Sequence, residues 1–351
     1  IYHNTMIYAT VALAILATAS ALSFEGLAHP RAYYEEKFVD YMKEHSVRAR
    51  DGQHFIEMLH AFSVNVDFIN THNAKAGETY KMKMNSFGHF TYAQWKQNMR
   101  LGLARPEPAH AAHTHSVNGT STPAEIDWVT NGAVTPVKDQ GQCGSCWSFS
   151  ATGALEGAYQ LKTSTLESFS EQNLVSCDGR RQEVRGTDMG CNGGLMDSAF
   201  KWVMDNGGLC TEADYPYTSG VTTENGDCMQ SSCTKNTQVT PKSYTDVKES
   251  DDDMMSALAQ QPVSVAIQAD QPAFQFYSSG VMTGTCGDSL DHGVLAVGYG
   301  TYSDGNDYYK VKNSWGPSWG MDGYILLGRG SEFGKSGQCG ILSGPPSYPS
   351  L

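Results

Sequence analysis

Gln140-Gly141-Gln142-Cys143-Gly144-Ser145-Cys146-Trp147 places a thiol at the start of a predicted helix, six residues after a glutamine. The run that follows, Trp147-Ser-Phe-Ser-Ala-Thr-Gly-Ala-Leu-Glu-Gly-Ala-Tyr159, has its larger apolar residues at helical spacing. A thiolate gains from the positive end of a helix dipole, which makes Cys146 the candidate nucleophile. Cys143 and Cys146 also have the C-x-x-C spacing of a redox pair or of half a zinc site. A structural zinc site needs further Cys or His ligands, and no second C-x-x-C occurs.

A nucleophilic thiol needs a base. Of the eleven histidines, ten lie at or before His115, so His292 alone can serve from the C-terminal side. It sits in Leu290-Asp291-His292-Gly293-Val294-Leu295-Ala296-Val297 and opens an apolar run of strand-like composition. Downstream, Lys312-Asn313-Ser314-Trp315-Gly316-Pro317-Ser318-Trp319-Gly320 supplies an amide able to orient the ring.

With Cys146, His292 and Asn313 in this order, the chain resembles the papain and cathepsin L family of cysteine proteases. The likeness extends through Asp127-Trp128, Val134 to Gln140, Phe169-Ser-Glu-Gln172, Cys191-Asn-Gly-Gly-Leu-Met-Asp197, Tyr215-Pro-Tyr217 and Gly323-Tyr-Ile325, and covers residues 33 to 351. It implies an α+β fold of two subdomains, with Cys146 on a helical wall and His292 on a strand-rich, barrel-like wall of one cleft. It further implies a cysteine endopeptidase without metal or organic cofactor, built as a zymogen. Cys146 and His292 would form a thiolate–imidazolium pair, the thiol falling from about 8.5 to about 3 to 4 as in such His-paired enzymes. Gln140 and the Cys146 N–H would hold the oxyanion, Asn313 would fix the histidine, and Trp315 would shield that bond.

Carried over residue by residue, Leu195, Met196, Ala266, Leu290 and Gly344 match the second specificity pocket and imply a preference for apolar side chains there. Gly193 and Gly194 would bind substrate backbone, and Asp291 and Trp319 would border the primed side. The resemblance pairs Cys143 with Cys191, Cys177 with Cys228, and Cys286 with Cys339, leaving Cys210 and Cys233 as an added bridge. The partners of Cys228 and Cys233 remain interchangeable, because eight cysteines allow 105 connectivities.

From Thr122 onward 27 acidic residues face 13 basic ones, which argues against nucleic acid as a partner. Nine cysteines, an odd count, suggest four bridges and one free thiol, hence an oxidising route through the secretory pathway. Residues 1 to 21, an apolar run ending at Ala19-Ser20-Ala21, read as a signal peptide too short for a membrane anchor. The destination is then a lysosome, a vacuole or the exterior. The expected partners of this monomer are polypeptide substrates, its own propeptide and cystatin-like inhibitors.

Residues 22 to 121 are expected to form the inhibitory propeptide, with a helical core at 33 to 105, and residues 122 to 351 the peptidase domain. Tyr33 to His45 and Phe55 to Asn73 read as helices. Phe62-x2-Asn65-x3-Ile69-x3-Asn73 and Lys83-x-Asn85-x-Phe87-x-His89 resemble the two prosegment motifs of the family. In this chain His54 and Met58 stand for the Glu and Arg of the first motif, and His89 for the Asp of the second. His89 is therefore a candidate pH switch, in either sense: buried and neutral, or paired with a carboxylate. Residues 106 to 121 have linker composition without periodicity, and contain the glycosylation sequon at Asn118. The insertion from Asp178 to Gly190 has no histidine to hold a terminal carboxylate, which favours an endopeptidase.

Overall fold

The computed structural model describes residues 24–99, 101–103, 111–117, 122–179, 184–284 and 286–351. The expected leader, Asn118 and the middle of the insertion after Asp178 lie outside them. Two compact units are present, one of residues up to Glu78 with Met82–Trp95, the other of Thr79–Lys81 with Lys96–Leu351. The division falls at Lys96, within the expected propeptide, because the described residues from Lys96 to Val117 pack with the second unit.

In the first unit, α1 (Arg31–Glu44) and α2 (Gly52–Ala74) match the two expected helices. Asp51 caps α2 by accepting the His54 N–H at 2.8 Å. Tyr34, Phe38 and Tyr41 of α1 pack on Met58, Leu59 and Phe62 of α2. Met58 is therefore core, where the motif's arginine would be charged. The motif's asparagines act through backbone: Asn65 donates to the Gly88 and Phe90 carbonyls at 3.0 and 2.9 Å, and Asn73 brackets Met82 at 2.8 and 3.0 Å. Tyr41 Oη lies 2.8 Å from His89 Nδ1. Burial, with His54 and His45 nearby, lowers His89 to about 4.

The second unit is built on a ten-stranded sheet. Its strands are β1 (Tyr80–Met82), β2 (His113–His115), β3 (Ile126–Asp127), β4 (Ser243–Val247), β5 (Val263–Ile267), β6 (Tyr277–Met282), β7 (His292–Thr301), β8 (Asp307–Lys312), β9 (Tyr324–Gly328) and β10 (Ser347–Ser350). They run in the order β1-β6-β9-β8-β7-β5-β10-β4-β2, with β3 on β7. β7 is buried from His292 to Gly300, which explains an apolar run without alternation.

After the short α3 (Tyr92–Met99) come α4 (Cys146–Thr163), α5 (Glu171–Cys177), α6 (Met196–Asn206) and α7 (Asp251–Leu258). Helix α4 is central, buried from Cys146 through Tyr159 apart from Phe149. Glycine lets it approach the sheet closely: a Cβ at Gly153 would stand 2.8 Å from Leu295. Among the described residues no helix is long and apolar enough to cross a membrane.

One expectation is corrected. The linker, read as aperiodic, contains β2, which pairs parallel with β4. Strand addition uses backbone N–H and C=O groups and needs no apolar alternation, so the sequence carried no sign of it. Disulfides join Cys143 to Cys191, Cys177 to Cys228, Cys210 to Cys233 and Cys286 to Cys339, with Cys146 free.

Candidate active site

Cys146 is the first residue of α4 and fully buried. Its neighbours come from both walls. Gln140 is held at each end of its amide, Nε2 donating to the Cys143 carbonyl at 3.0 Å and Oε1 accepting from Ser314 Oγ at 2.6 Å. One Nε2 hydrogen stays available for a ligand.

His292 opens β7, and its Nε2 lies 2.8 Å from Asn313 Oδ1. That oxygen also accepts the Ser314 N–H at 2.8 Å, so it must be the acceptor toward the ring. The proton is thereby fixed on Nε2, leaving a lone pair on Nδ1. Among the described residues Nδ1 has no hydrogen-bond partner. Trp315 stacks on the ring at 5.0 Å and 28°, and Trp319 meets Trp315 edge-on at 5.1 Å. The next residue, Gly293, donates its N–H to Cys146 Sγ at 3.3 Å, which joins the histidine strand to the thiol helix.

Burial pushes the Cys146 thiol up to about 11, against the pull of N–H groups of Gly293, Gly102 and Trp147. Burial likewise drops His292 to about 4, against its bond to Asn313. In this closed chain burial outweighs those partners and favours the neutral form of each group.

The cover includes Leu101-Gly102-Leu103. Gly194 donates its N–H to the Gly102 carbonyl at 3.1 Å, and Leu103 donates to the Asp291 carbonyl at 3.2 Å. A Cβ at Gly102 would lie 1.9 Å from the Gly144 oxygen, so only glycine lets the chain pass here. Sequence reasoning missed this segment, whose one visible signal is a glycine between two leucines just past α3.

Other expected residues gather around Gly293 and Leu290. Ala266 is its register partner on β5, and a Cβ at Gly293 would meet the Met196 sulfur at 3.0 Å. Leu290 covers Gly344, whose own Cβ would lie 2.6 Å from the leucine and whose φ is +72°. Gly193 and Leu195 flank Gly194 at the start of α6. Two further residues went unnoticed in the sequence. Ser314 orients Gln140, and buried Asp188 accepts the Leu195 N–H at 2.8 Å. Asp178 faces Asp188, and burial plus this second carboxyl raise Asp178 well above the usual range.

Residues 122–349 match the family described as papain family cysteine protease, and residues 38–99 the cathepsin propeptide inhibitor domain. The cysteine proteinase EP-B 1 of Hordeum vulgare is 39% identical over 98% of this chain and 92% of its own length. Germination-specific cysteine protease 1 of Arabidopsis thaliana is 45% identical over 82% of this chain and 76% of its own. The crystal structure of the ragweed pollen cysteine protease Amb a 11 in its proform aligns with a TM-score of 0.78 at 34% identity, covering 92% of this chain and 96% of that one.

Proposed function

From the premise that this chain belongs to the papain family of cysteine proteases and is a zymogen carrying its own inhibitory propeptide, we propose that Cys146 and His292 cleave peptide bonds through an acyl-enzyme, preferring apolar side chains in the second pocket. The observation that carries this reading is the Gly293 N–H on Cys146 Sγ beside a His292 ring locked by Asn313.

The thiol proton passes to His292 Nδ1, and Sγ attacks the scissile carbonyl carbon. The oxyanion that forms is held by the free Gln140 Nε2–H and by the Cys146 N–H, one of the unpaired donors of the first turn of α4. Collapse expels the amine, which takes the proton from Nδ1. A water then attacks the acyl carbon while giving its proton to Nδ1, and the acid departs as Sγ is restored. Asn313 and Trp315 hold the ring in register throughout. Processing near Thr122 and passage through the secretory pathway to a vacuole, lysosome or the exterior complete the proposal.

Leu290 over Gly344 supports the pocket assignment, since no carboxylate faces a basic side chain there. A guanidinium left unpaired among apolar groups costs about 1–3 kcal/mol or more. The acid-activated protein is therefore expected to cut a Phe-Arg reporter at least about tenfold faster than an Arg-Arg one, and Cys146→Ser to cut neither. Activity in Cys146→Ser would remove the mechanism; equal rates on the two reporters would remove only the pocket.

A further inference from the structure

The linker ahead of the proposed processing point is seated on the sheet, beginning eight residues after the segment at the thiol. His113, Thr114 and His115 run parallel to Thr245, Asp246 and Val247. At one end Ala111 donates its N–H to Asp246 Oδ2 at 3.1 Å, and at the other Val117 donates to Asp253 Oδ1 at 2.6 Å. Lys248 donates to the His115 carbonyl at 3.1 Å. The His115 ring lies between two hydroxyls, Nδ1 3.1 Å from Tyr348 Oη and Nε2 3.1 Å from Ser256 Oγ, so either tautomer is satisfied. Tyr348 comes from β10 and Ser256 and Asp253 from α7, both after the processing point. None of these partners touches Leu101–Leu103 through the bonds to Gly194 and Asp291.

We propose that the outer edge of β4 is a second peptide-docking site of the peptidase domain, separate from the catalytic cleft, whose resident ligand is the chain's own linker 111–117. Backbone bonds to an edge strand supply affinity, and a slot for one alternate side chain supplies selection. Here the slot takes an imidazole between two hydroxyls, and two carboxylates take the N–H groups at the ends of the strand. The ligand class is an extended peptide with an uncharged side chain at the slot that bonds both hydroxyls. Removal of the linker would otherwise leave an unpaired edge, which β proteins rarely expose without protection.

Hydrogen–deuterium exchange on the intact chain in a Cys146→Ala background tests the site without relying on peptidase activity. Segments 111–117 and 243–248 are expected to exchange at least about tenfold more slowly than a free chain. His115→Ala, which lies in the linker and leaves the core untouched, is expected to abolish protection at 111–117 and at the Lys248 N–H, while β7 and the β4 amides paired with β10 keep their own. Excess synthetic peptide 111–117 added to the His115→Ala chain should restore protection at the Lys248 N–H, and the same peptide with Ala at His115 should not. Free-chain exchange of 111–117 in the unaltered linker, protection that survives His115→Ala, or no restoration by the added peptide would each overturn the proposal.

Discussion

Two buried ionisable groups of the second unit lie along the same helix and meet opposite fates. Near the middle of α4, Glu156 joins Glu171 of α5 and Lys138. The lysine donates to the two carboxylates at 3.1 and 2.6 Å and to the Phe169 carbonyl at 3.0 Å, while Thr135 donates to the second Glu156 oxygen and Thr152 to the same Glu171 oxygen that takes the lysine, at 2.6 Å each. Despite burial, the two carboxylates hold Lys138 above the ordinary lysine range. At the first turn of α4, Cys146 and His292 are as thoroughly buried, yet both are driven to their neutral forms. A cavity of about 20 Å³ is lined by Lys138, Glu156 and Glu171 together with Gly293, Asn313 and Ser314. Burial thus preserves charge where opposite charges and donors are already in place, and suppresses it where the partner has yet to ionise. Burial in the closed site thus favours the neutral forms, and opening it would restore the hydration that an ion pair needs.

The largest expected effect breaks this contrast at the thiol. With a thiol near 11, the intact chain at pH 6 holds a thiolate fraction of roughly 10⁻⁵, so alkylation of Cys146 should rise only toward alkaline pH. After acid processing the same thiol should label at pH 5 to 6 at least about 10³-fold faster. Equal labelling of the intact and processed proteins would show that cover does not control the charge.

Next in size is the compensated cluster. Glu171→Ala leaves Lys138 with one buried partner and should destabilise the chain by about 3–5 kcal/mol, read from denaturant midpoints in a Cys146→Ser background. A loss below about 1 kcal/mol would mean that the cluster is solvated rather than buried in effect.

The smallest effect concerns acid. His89, lowered to about 4 by burial, gives the first unit stability that is present above its unfolded value of about 6.5 and is lost as pH falls toward 4. His292 has the same sign, so acidification loosens both places together. His89→Asn should move the midpoint of self-processing to lower pH by up to about one unit. A shift to higher pH would favour the other expectation, a charged His89 paired with carboxylate. An unmoved midpoint would assign the trigger to His292 or to carboxylates.

Asp188 sharpens the comparison from the acidic side. Burial raises it to about 7, and Asp178 rises with it for the same reason and from their mutual repulsion. Stability from this pair is present at acid pH and lost as pH rises through that value, the opposite sense to His89. The enzyme's prosegment is thus loosened in the range where the wall that carries Gly193 to Leu195 is held.

Local pattern determined much of this molecule from sequence alone. Helical spacing after Cys146, the apolar run from Gly293 and the separation of histidines into a prosegment group and His292 are properties of neighbouring residues, and α1, α2, α4 and β7 formed where that pattern put them. The proposed nucleophile, base and orienting amide were nameable because each stands inside a short motif. Tertiary structure decided what depends on contacts remote in sequence. Gly102 reaches Gly144 and Gly194, the linker becomes a strand only because β4 offers an open edge, and Ser314 matters only where it meets Gln140. Backbone hydrogen bonds of this kind leave no side-chain signature. Charge state is the furthest from the sequence, because a pKa follows hydration and neighbours, and at Cys146 these are set by burial and by the N–H groups of Gly293, Gly102 and Trp147.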